Sequence, residues 1–416
     1  MSTRPETRVC LVTTGHVSTT PRLIKEADSL VAAGYQVQVV SGRYHVQMDS
    51  LDPSPNGWEC IRVDGRRGTG NLVRKILRQA ARRWIARTGL AGVRTAARAR
   101  HGETLRIAAV AARLPAAFYF GNGGSSLAAA ALAAKARGVP FGFDLEDFHD
   151  AETEAGMSDR AVAVATEILQ RRLLPKAAFL TAASPLIAEK YSEVYGVHPT
   201  VLLNVFPRQE APKAPLDPGP ISAERPARFY WFSLTIGPGR GLEAAVAVLG
   251  RLRTPAELHL RGVVSADYRQ RLEQVAKSAG LARPLQFLPP APPREMIQLS
   301  APYHFGLSTE ERQPLNRDIC LSNKIFTYLA AGVPQLLSHT SAQARLAPEL
   351  GEAALLVDLA DPDSAATRLD QLLGNAPGLA AARAAAWRLG QERFCWDVEQ
   401  EGFLAGVATA LTPHRP

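Results

Sequence analysis

Short apolar runs alternate along this chain with stretches in which apolar residues recur every three or four positions. Arg8 to Thr14 is a nearly continuous apolar run closed by Thr-Thr-Gly, which predicts a buried strand. Pro21 to Ala33 carries Leu23, Ala27, Leu30 and Val31 at helical spacing, and Gly34 ends it. Val37–Val40, Ala117–Phe120, Phe141–Asp144 and Phe179–Ala182 predict further strands, with Ala-rich helices between them. Such alternation marks right-handed βαβ units and a parallel sheet. Residues 207–226, PRQEAPKAPLDPGPISAERP, break the pattern; proline at that density excludes an element interior and predicts a linker. The alternation restarts at Phe229–Phe232 and continues through Leu258–Leu260, Gln286–Leu288, His304–Leu307, Pro334–Leu337 and Leu355–Val357. From about Leu379 the pattern is helical with no strand after it. The expected fold is α/β: two doubly wound, Rossmann-like domains, 1–206 and 227–390, with an interdomain cleft and a C-terminal helical tail, 391–416.

The length of 416 residues suits two such domains better than one core. With 46% hydrophobic and 21% charged residues, wholesale disorder is excluded. No apolar run approaches the roughly 18 residues of a membrane span, and the start does not read as a secretory signal. The cysteines at 10, 60, 320 and 395 have neither metal-like nor disulfide-like spacing, which fits a cytoplasmic protein. Charge changes the picture more. Of the net +9, residues 62–113 contribute fourteen Lys or Arg against two acids, or +12, leaving −3 elsewhere. Within this basic insert Leu72, Ile76, Ala80 and Trp84 share one helical face. Two readings stay open: peripheral contact with the inner face of an anionic membrane, or a helix packed on its own domain with arginines facing water. Nucleic acid is not expected as a partner, since no aromatic platform accompanies the charge.

The most informative stretch is Ser308 to Pro334, STEERQPLNRDICLSNKIFTYLAAGVP. Ser322 is a good N-cap, and the free N–H groups of a helix start with Lys324 in its first turn form an anion site; an ordinary capped helix is the alternative. Gly237-Pro238-Gly239-Arg240-Gly241, between a strand and a helix, is a second phosphate-facing candidate, or a Gly-rich turn with an exposed arginine. Asp144, Glu146, Asp147 and His149, with Glu152 and Glu154 beyond, crowd acids at a strand end, which suits acid/base work or acceptor binding. A solvated acidic loop and a D-x-E-D metal motif are the rival explanations. A dinucleotide enzyme fits poorly: Gly241 comes one residue early for G-x-G-x-x-G, and the next strand ends in Arg261-Gly262 without an acid.

The run SNKIFTYLAAGVP closely resembles the nucleotide-binding helix of family 4 (group 1) glycosyltransferases, which have the two-domain GT-B fold. Thr14-Gly15 with Thr19-Thr20-Pro21-Arg22, Leu203-Asn204-Val205 and Phe287–Pro290 resemble further family segments in order and spacing. The resemblance implies transfer of a sugar, with retention, from a nucleotide sugar to a carbohydrate, lipid-linked or small-molecule acceptor, without a metal or other cofactor. It implies donor contacts from Ser322, Asn323, Lys324, Arg240 and Gly15, with Asp144, Glu146 or His149 orienting the acceptor. In that mechanism the leaving phosphate takes the acceptor proton. The family's paired glutamates are absent here, since Ile319 and Thr327 stand in their places; Glu310 and Glu311 are the nearest acids that could substitute. Thr235 stands where the family usually has a phosphate-binding Arg. These departures also admit a sugar-nucleotide epimerase of the same architecture or a catalytically silent partner subunit.

Overall fold

The computed structural model describes residues 7–44, 55–65, 70–151 and 159–412. The chain divides into two compact units, Met1–Leu203 with Gln400–Pro416, and Asn204–Glu399.

The first unit is built on a seven-stranded sheet of order β3-β2-β1-β4-β5-β6-β7. Its strands are β1 (Arg8–Thr13), β2 (Gln36–Arg43), β3 (Glu59–Asp64), β4 (Phe118–Asn122), β5 (Phe141–Leu145), β6 (Phe179–Ala182) and β7 (Thr200–Val201). All pair in parallel. Helices cover both faces, so the central strands are apolar along their length and Val9–Val12 are wholly buried. The last helix, Trp396–Leu411, belongs with this unit from Gln400 onward. There Phe403 sets its ring edge-on to Phe120 at 5.4 Å, and Gly406 lies so close to Phe179 that a Cβ would collide with the ring.

The second unit holds a six-stranded parallel sheet of order β10-β9-β8-β11-β12-β13. These are β8 (Ala227–Ile236), β9 (Ala256–Val264), β10 (Gln286–Leu288), β11 (Phe305–Ser308), β12 (Gln335–Ser338) and β13 (Ala354–Val357). Both sheets reverse direction of growth once, at β1/β4 and at β8/β11. Loops leaving the carboxyl ends diverge there, and ligands of doubly wound folds bind in the opening.

The structure departs from expectation in three places. The Pro-rich segment 207–226 is not a free linker but part of the second unit, which begins at Asn204. Proline removes donors yet leaves its carbonyl an acceptor, and the segment's carbonyls are used: Pro212 accepts from Trp387 Nε1 at 2.9 Å, Leu216 from Arg383 Nε at 2.9 Å, and Pro218 from Arg228 Nη2 at 3.3 Å. Strands β3 and β7 were not expected. The former is a half-exposed edge strand of mixed polarity whose last residues enter the basic region, and the latter spans two residues. The start expected near Met157 for the following helix lies outside the described residues, and the helix runs Arg160–Leu173.

The third departure concerns the basic helix, Gly70–Thr88. Its arginines do not all face water. Arg74 Nε pairs with Glu103 at 2.7 Å, and Arg82 pairs with Asp159 at 3.0 Å while donating to the Ala99 carbonyl; Ala81 and Ile85 are buried beside them. The apolar row is turned outward instead, with Leu72 67%, Val73 55%, Ile76 58% and Trp84 58% exposed. A buried carboxylate, Glu103, and backbone carbonyls draw the guanidinium row inward, since each charge-assisted bond is stronger than a neutral one.

Candidate functional site

In the second unit, two loops leave the switch point side by side. One follows β8 through Gly237–Gly241 into the helix Leu242–Leu249; the other follows β11 through Thr309, Glu310 and Glu311. They are tied together: Thr309 Oγ1 donates to the Arg240 carbonyl at 3.0 Å, and Glu311 accepts from the Gly241 N–H at 3.2 Å. Arg317 Nη1 donates to the Gly239 carbonyl at 2.6 Å. Gly241 has φ +66°, and a Cβ there would collide with the Thr309 carbonyl, so both conformation and space require glycine. Arg240 is half-buried, and its guanidinium makes no hydrogen bond or ion pair among the described residues.

The helix Asn323–Ala331 brings Lys324 to the same place. Its ammonium is buried, 2.5 Å from Glu310 and 5.3 Å above the Trp231 ring. Glu310 also accepts from Gln343 Nε2 at 3.0 Å, and its own carbonyl accepts from Ser338 at 2.6 Å. Burial works against ionising Glu310, but the Lys324 charge and hydrogen bond, aided by Arg240, hold its carboxyl below the usual value. Glu310 therefore does not stand free to replace the missing sugar or ribose contacts; it fixes Lys324. Glu311 is exposed, and one of its oxygens accepts from the Gly241 N–H. Ser322 caps no backbone N–H with its side chain, and its Oγ is buried without a hydrogen-bond partner among the described residues. Asn323 is exposed and accepts from Asn204 Nδ2 at 2.9 Å. Thr327 is buried, its hydroxyl spent on the Asn323 carbonyl at 2.8 Å, so it offers nothing outward. Thr235 is exposed. The net result is a fixed lysine, an unpaired arginine and an unpartnered serine hydroxyl at a helix start, an arrangement that favours anions.

In the first unit, Gly15 follows β1, its carbonyl accepting from the Gly42 N–H at 3.0 Å. The acids expected at the end of β5 are not an unpaired cluster. Asp144 is wholly buried and held bidentately by Arg22, Nε and Nη2 both at 2.8 Å, with Thr181 Oγ1 at 2.6 Å. Arg22 Nη1 closes the network on the Leu202 carbonyl at 2.8 Å. Reading Asp144 as acceptor-facing is corrected: its oxygens are taken by the interior. Glu146 is half-buried, its carboxyl pushed up to about 7 by burial and by the Asp144 charge. His149 sits on a separate turn, near Gly124 and the Arg100 guanidinium. Glu152 and Glu154 lie outside the described residues. Among the described residues no three His, Cys, Asp or Glu side chains gather as a metal site.

Glu26 completes the buried network, accepting from Asn122 Nδ2 at 2.7 Å. Burial, then Asp144, push its carboxyl up to about 8 from 4.5. Between those values the folded chain keeps a proton that the unfolded chain has released, so stability falls as pH rises through the window. Glu26→Gln is expected to flatten that slope. In denaturant titrations the variant should be about as stable as wild type near pH 5 and more stable at pH 8; an equal difference at both pH values would refute the titration.

Sequence reasoning missed the side chains on the inner face of the basic helix. Tyr44, which follows β2, donates its N–H to His16 Nε2 at 2.9 Å and sets its ring edge-on to His101 at 5.4 Å. Arg78 and Arg100 approach the same group. The four-residue spacing of Arg74, Arg78 and Arg82 was a signal that they share a face, but not of which way the face points.

The family model described as "Glycosyl transferase 4-like domain" matches residues 19–208. No curated protein matches the chain in sequence. Among solved structures, the chain is similar to HepE from Anabaena in complex with UDP and glucose, at 15% identity, TM-score 0.67, covering 97% of this chain and 100% of that one. It is similar to sucrose-phosphate synthase from Thermosynechococcus elongatus, at 15% identity, TM-score 0.68, covering 98% and 100%. It is also similar to a UDP-forming α,α-trehalose-phosphate synthase from Burkholderia xenovorans in complex with glucose-6-phosphate, at 15% identity, TM-score 0.62, covering 96% and 100%. The two doubly wound units are thus those of the GT-B fold.

Proposed function

We propose that this chain, a GT-B protein whose residues 19–208 match a glycosyl transferase 4-like domain, transfers a sugar from a nucleotide sugar to an acceptor held by the first unit. The observation that carries this reading is the convergence of Arg240, Lys324 and the Ser322 helix start at the carboxyl ends of β8 and β11. A leaving diphosphate gathers charge as the glycosidic bond breaks, and donors fixed in advance stabilise that charge most. Glu310 and Trp231 keep Lys324 in place, so little reorganisation accompanies reaction. Retention rests on the family resemblance. UDP is the first nucleotide to test, because HepE was solved with it. Thermal-shift screening with UDP, GDP, ADP and TDP sugars tests the donor site, and a flat response to all of them would overturn it. Conversion of a bound donor without any acceptor would point instead to an epimerase.

The outward apolar row of the helix Gly70–Thr88 favours a peripheral place on the cytoplasmic membrane face. Lys75, Arg83 and Arg87 are exposed beside Leu72, Ile76 and Trp84, which suits an anionic bilayer with the indole at its interface. No helix among the described residues is long and apolar enough to cross a membrane. Wild-type protein is expected to sediment with phosphatidylglycerol/phosphatidylethanolamine vesicles, and Leu72→Ser/Ile76→Ser/Trp84→Ser to stay in the supernatant with nucleotide binding intact. Equal sedimentation of both proteins would remove the membrane reading.

A further inference from the structure

The inner face of the same helix carries a second feature. Arg78 Nε, Arg100 Nε, His101 Nδ1 and the Tyr44 hydroxyl are each buried with no hydrogen-bond partner among the described residues. They come from separate segments. Tyr44 follows β2, Arg78 lies midway along Gly70–Thr88, and Arg100 and His101 end the helix Val93–Arg100. The Tyr44 and His101 rings are 5.4 Å apart, while Arg78 and Arg100 both act on His101 electrostatically. Arg100 also borders Gly124 after β4, where an added Cβ would come within 2.9 Å of its Nη2 and of His149 Cε1. The group therefore sits by the carboxyl ends of β2 and β4, next to the switch point.

The nearby acids among the described residues are already engaged. Glu103 is held by Arg74 at 2.7 Å and Arg106 at 3.5 Å, and Asp159 by Arg82 at 3.0 Å. Burial and the Arg82 charge lower the affinity of Arg78 for its proton, and burial with Arg78 and Arg100 pushes His101 down to about 4. Among the described residues Asp159, already shared with Arg82, is the acid that acts on Arg78, so positive charge outweighs negative there, and His101 is neutral at pH 7, one ring nitrogen donating. A buried donor left unmatched forfeits its hydration without compensation, so a set of them in one place calls for a ligand as its explanation.

We propose that Arg78, Arg100, His101 and Tyr44 form an anion site of the first unit that binds a phosphoryl group, monophosphate or diphosphate, carried by the acceptor. The assignment rests on the acceptor-side reading of that unit. Two guanidinium groups with a hydroxyl and an imidazole N–H offer more donors than one carboxylate can use, whereas phosphate oxygens accept several at once. The phosphoryl group has two sources: a soluble sugar phosphate, or a prenyl-linked diphosphate reached from the membrane side of the helix.

Calorimetry on full-length protein saturated with UDP separates this site from the donor site, and UDP binding itself is recorded first. Inorganic pyrophosphate is expected to bind wild type and to bind Arg78→Gln/Arg100→Gln at least tenfold more weakly, with UDP affinity unchanged. The variant removes uncompensated charge, so its melting temperature should equal or exceed that of wild type, which verifies folding. Competition with pyrophosphate by glucose 6-phosphate supports a soluble acceptor; competition by farnesyl diphosphate alone supports a lipid-linked one. Pyrophosphate that binds the double variant as tightly as wild type, or fails to bind wild type, overturns the site. Loss of UDP binding alone would instead count against the donor reading.

Discussion

Replacing Lys324 by alanine is expected to lower transfer activity by about two to three orders of magnitude, the range seen when a fixed donor is removed from developing negative charge. The same change strands Glu310, whose buried carboxylate would lose the partner 2.5 Å away. Breaking a buried pair by removing one member costs roughly 3–5 kcal/mol, so Lys324→Ala alone confuses lost binding with lost stability. Lys324→Ala/Glu310→Gln separates the two. It removes both charges, and its melting temperature should recover much of the loss. The thermal shift given by nucleotide sugar and the transfer rate should not recover. If the double variant regains both, Lys324 serves the fold, and the donor site must be sought elsewhere.

Asp144→Ala should have the larger effect on stability. Arg22 and Asp144 are both wholly buried and joined by two hydrogen bonds, so the variant leaves a guanidinium without its counter-ion. The expected loss is about 3–5 kcal/mol, a fall in melting temperature on the order of 10 °C for a unit of this size. Thr181 and Glu26 would both lose a neighbour to which their protons and charges are adjusted. Arg22→Met/Asp144→Leu should cost less than the sum of the single changes, because neither charge remains to be desolvated. An Asp144→Ala protein that melts like wild type but loses activity would return Asp144 to the acceptor.

Much of the fold was legible because a buried parallel strand must be apolar along its length. β1, β6 and β10 lie close to where the apolar runs place them, and the restart of alternation after residue 226 marks a second sheet. β3 was not legible, since an edge strand needs no apolar run. The donor-side candidates Arg240, Ser322 and Lys324 were legible for a local reason: loop glycines and a helix start specify an anion site within a few residues of sequence. Their partners were not. Lys324 meets Glu310 only because β11 and the helix Asn323–Ala331 pack together, and this turns a proposed sugar ligand into a lysine anchor.

By itself, then, the sequence determined the alternation of strands and helices, the division into two parallel sheets and the residues that share a helical face. Periodicity carries that information, since side-chain direction follows backbone geometry. Only the tertiary structure decided which face turned inward and which acids were spent. Arg22 reaches Asp144 across 122 positions of sequence, and Arg74 reaches Glu103 across 29. Whether a charge is a ligand or an interior partner depends on which opposite charge the fold delivers to it. That is a matter of burial and distance, quantities no spacing along the chain contains.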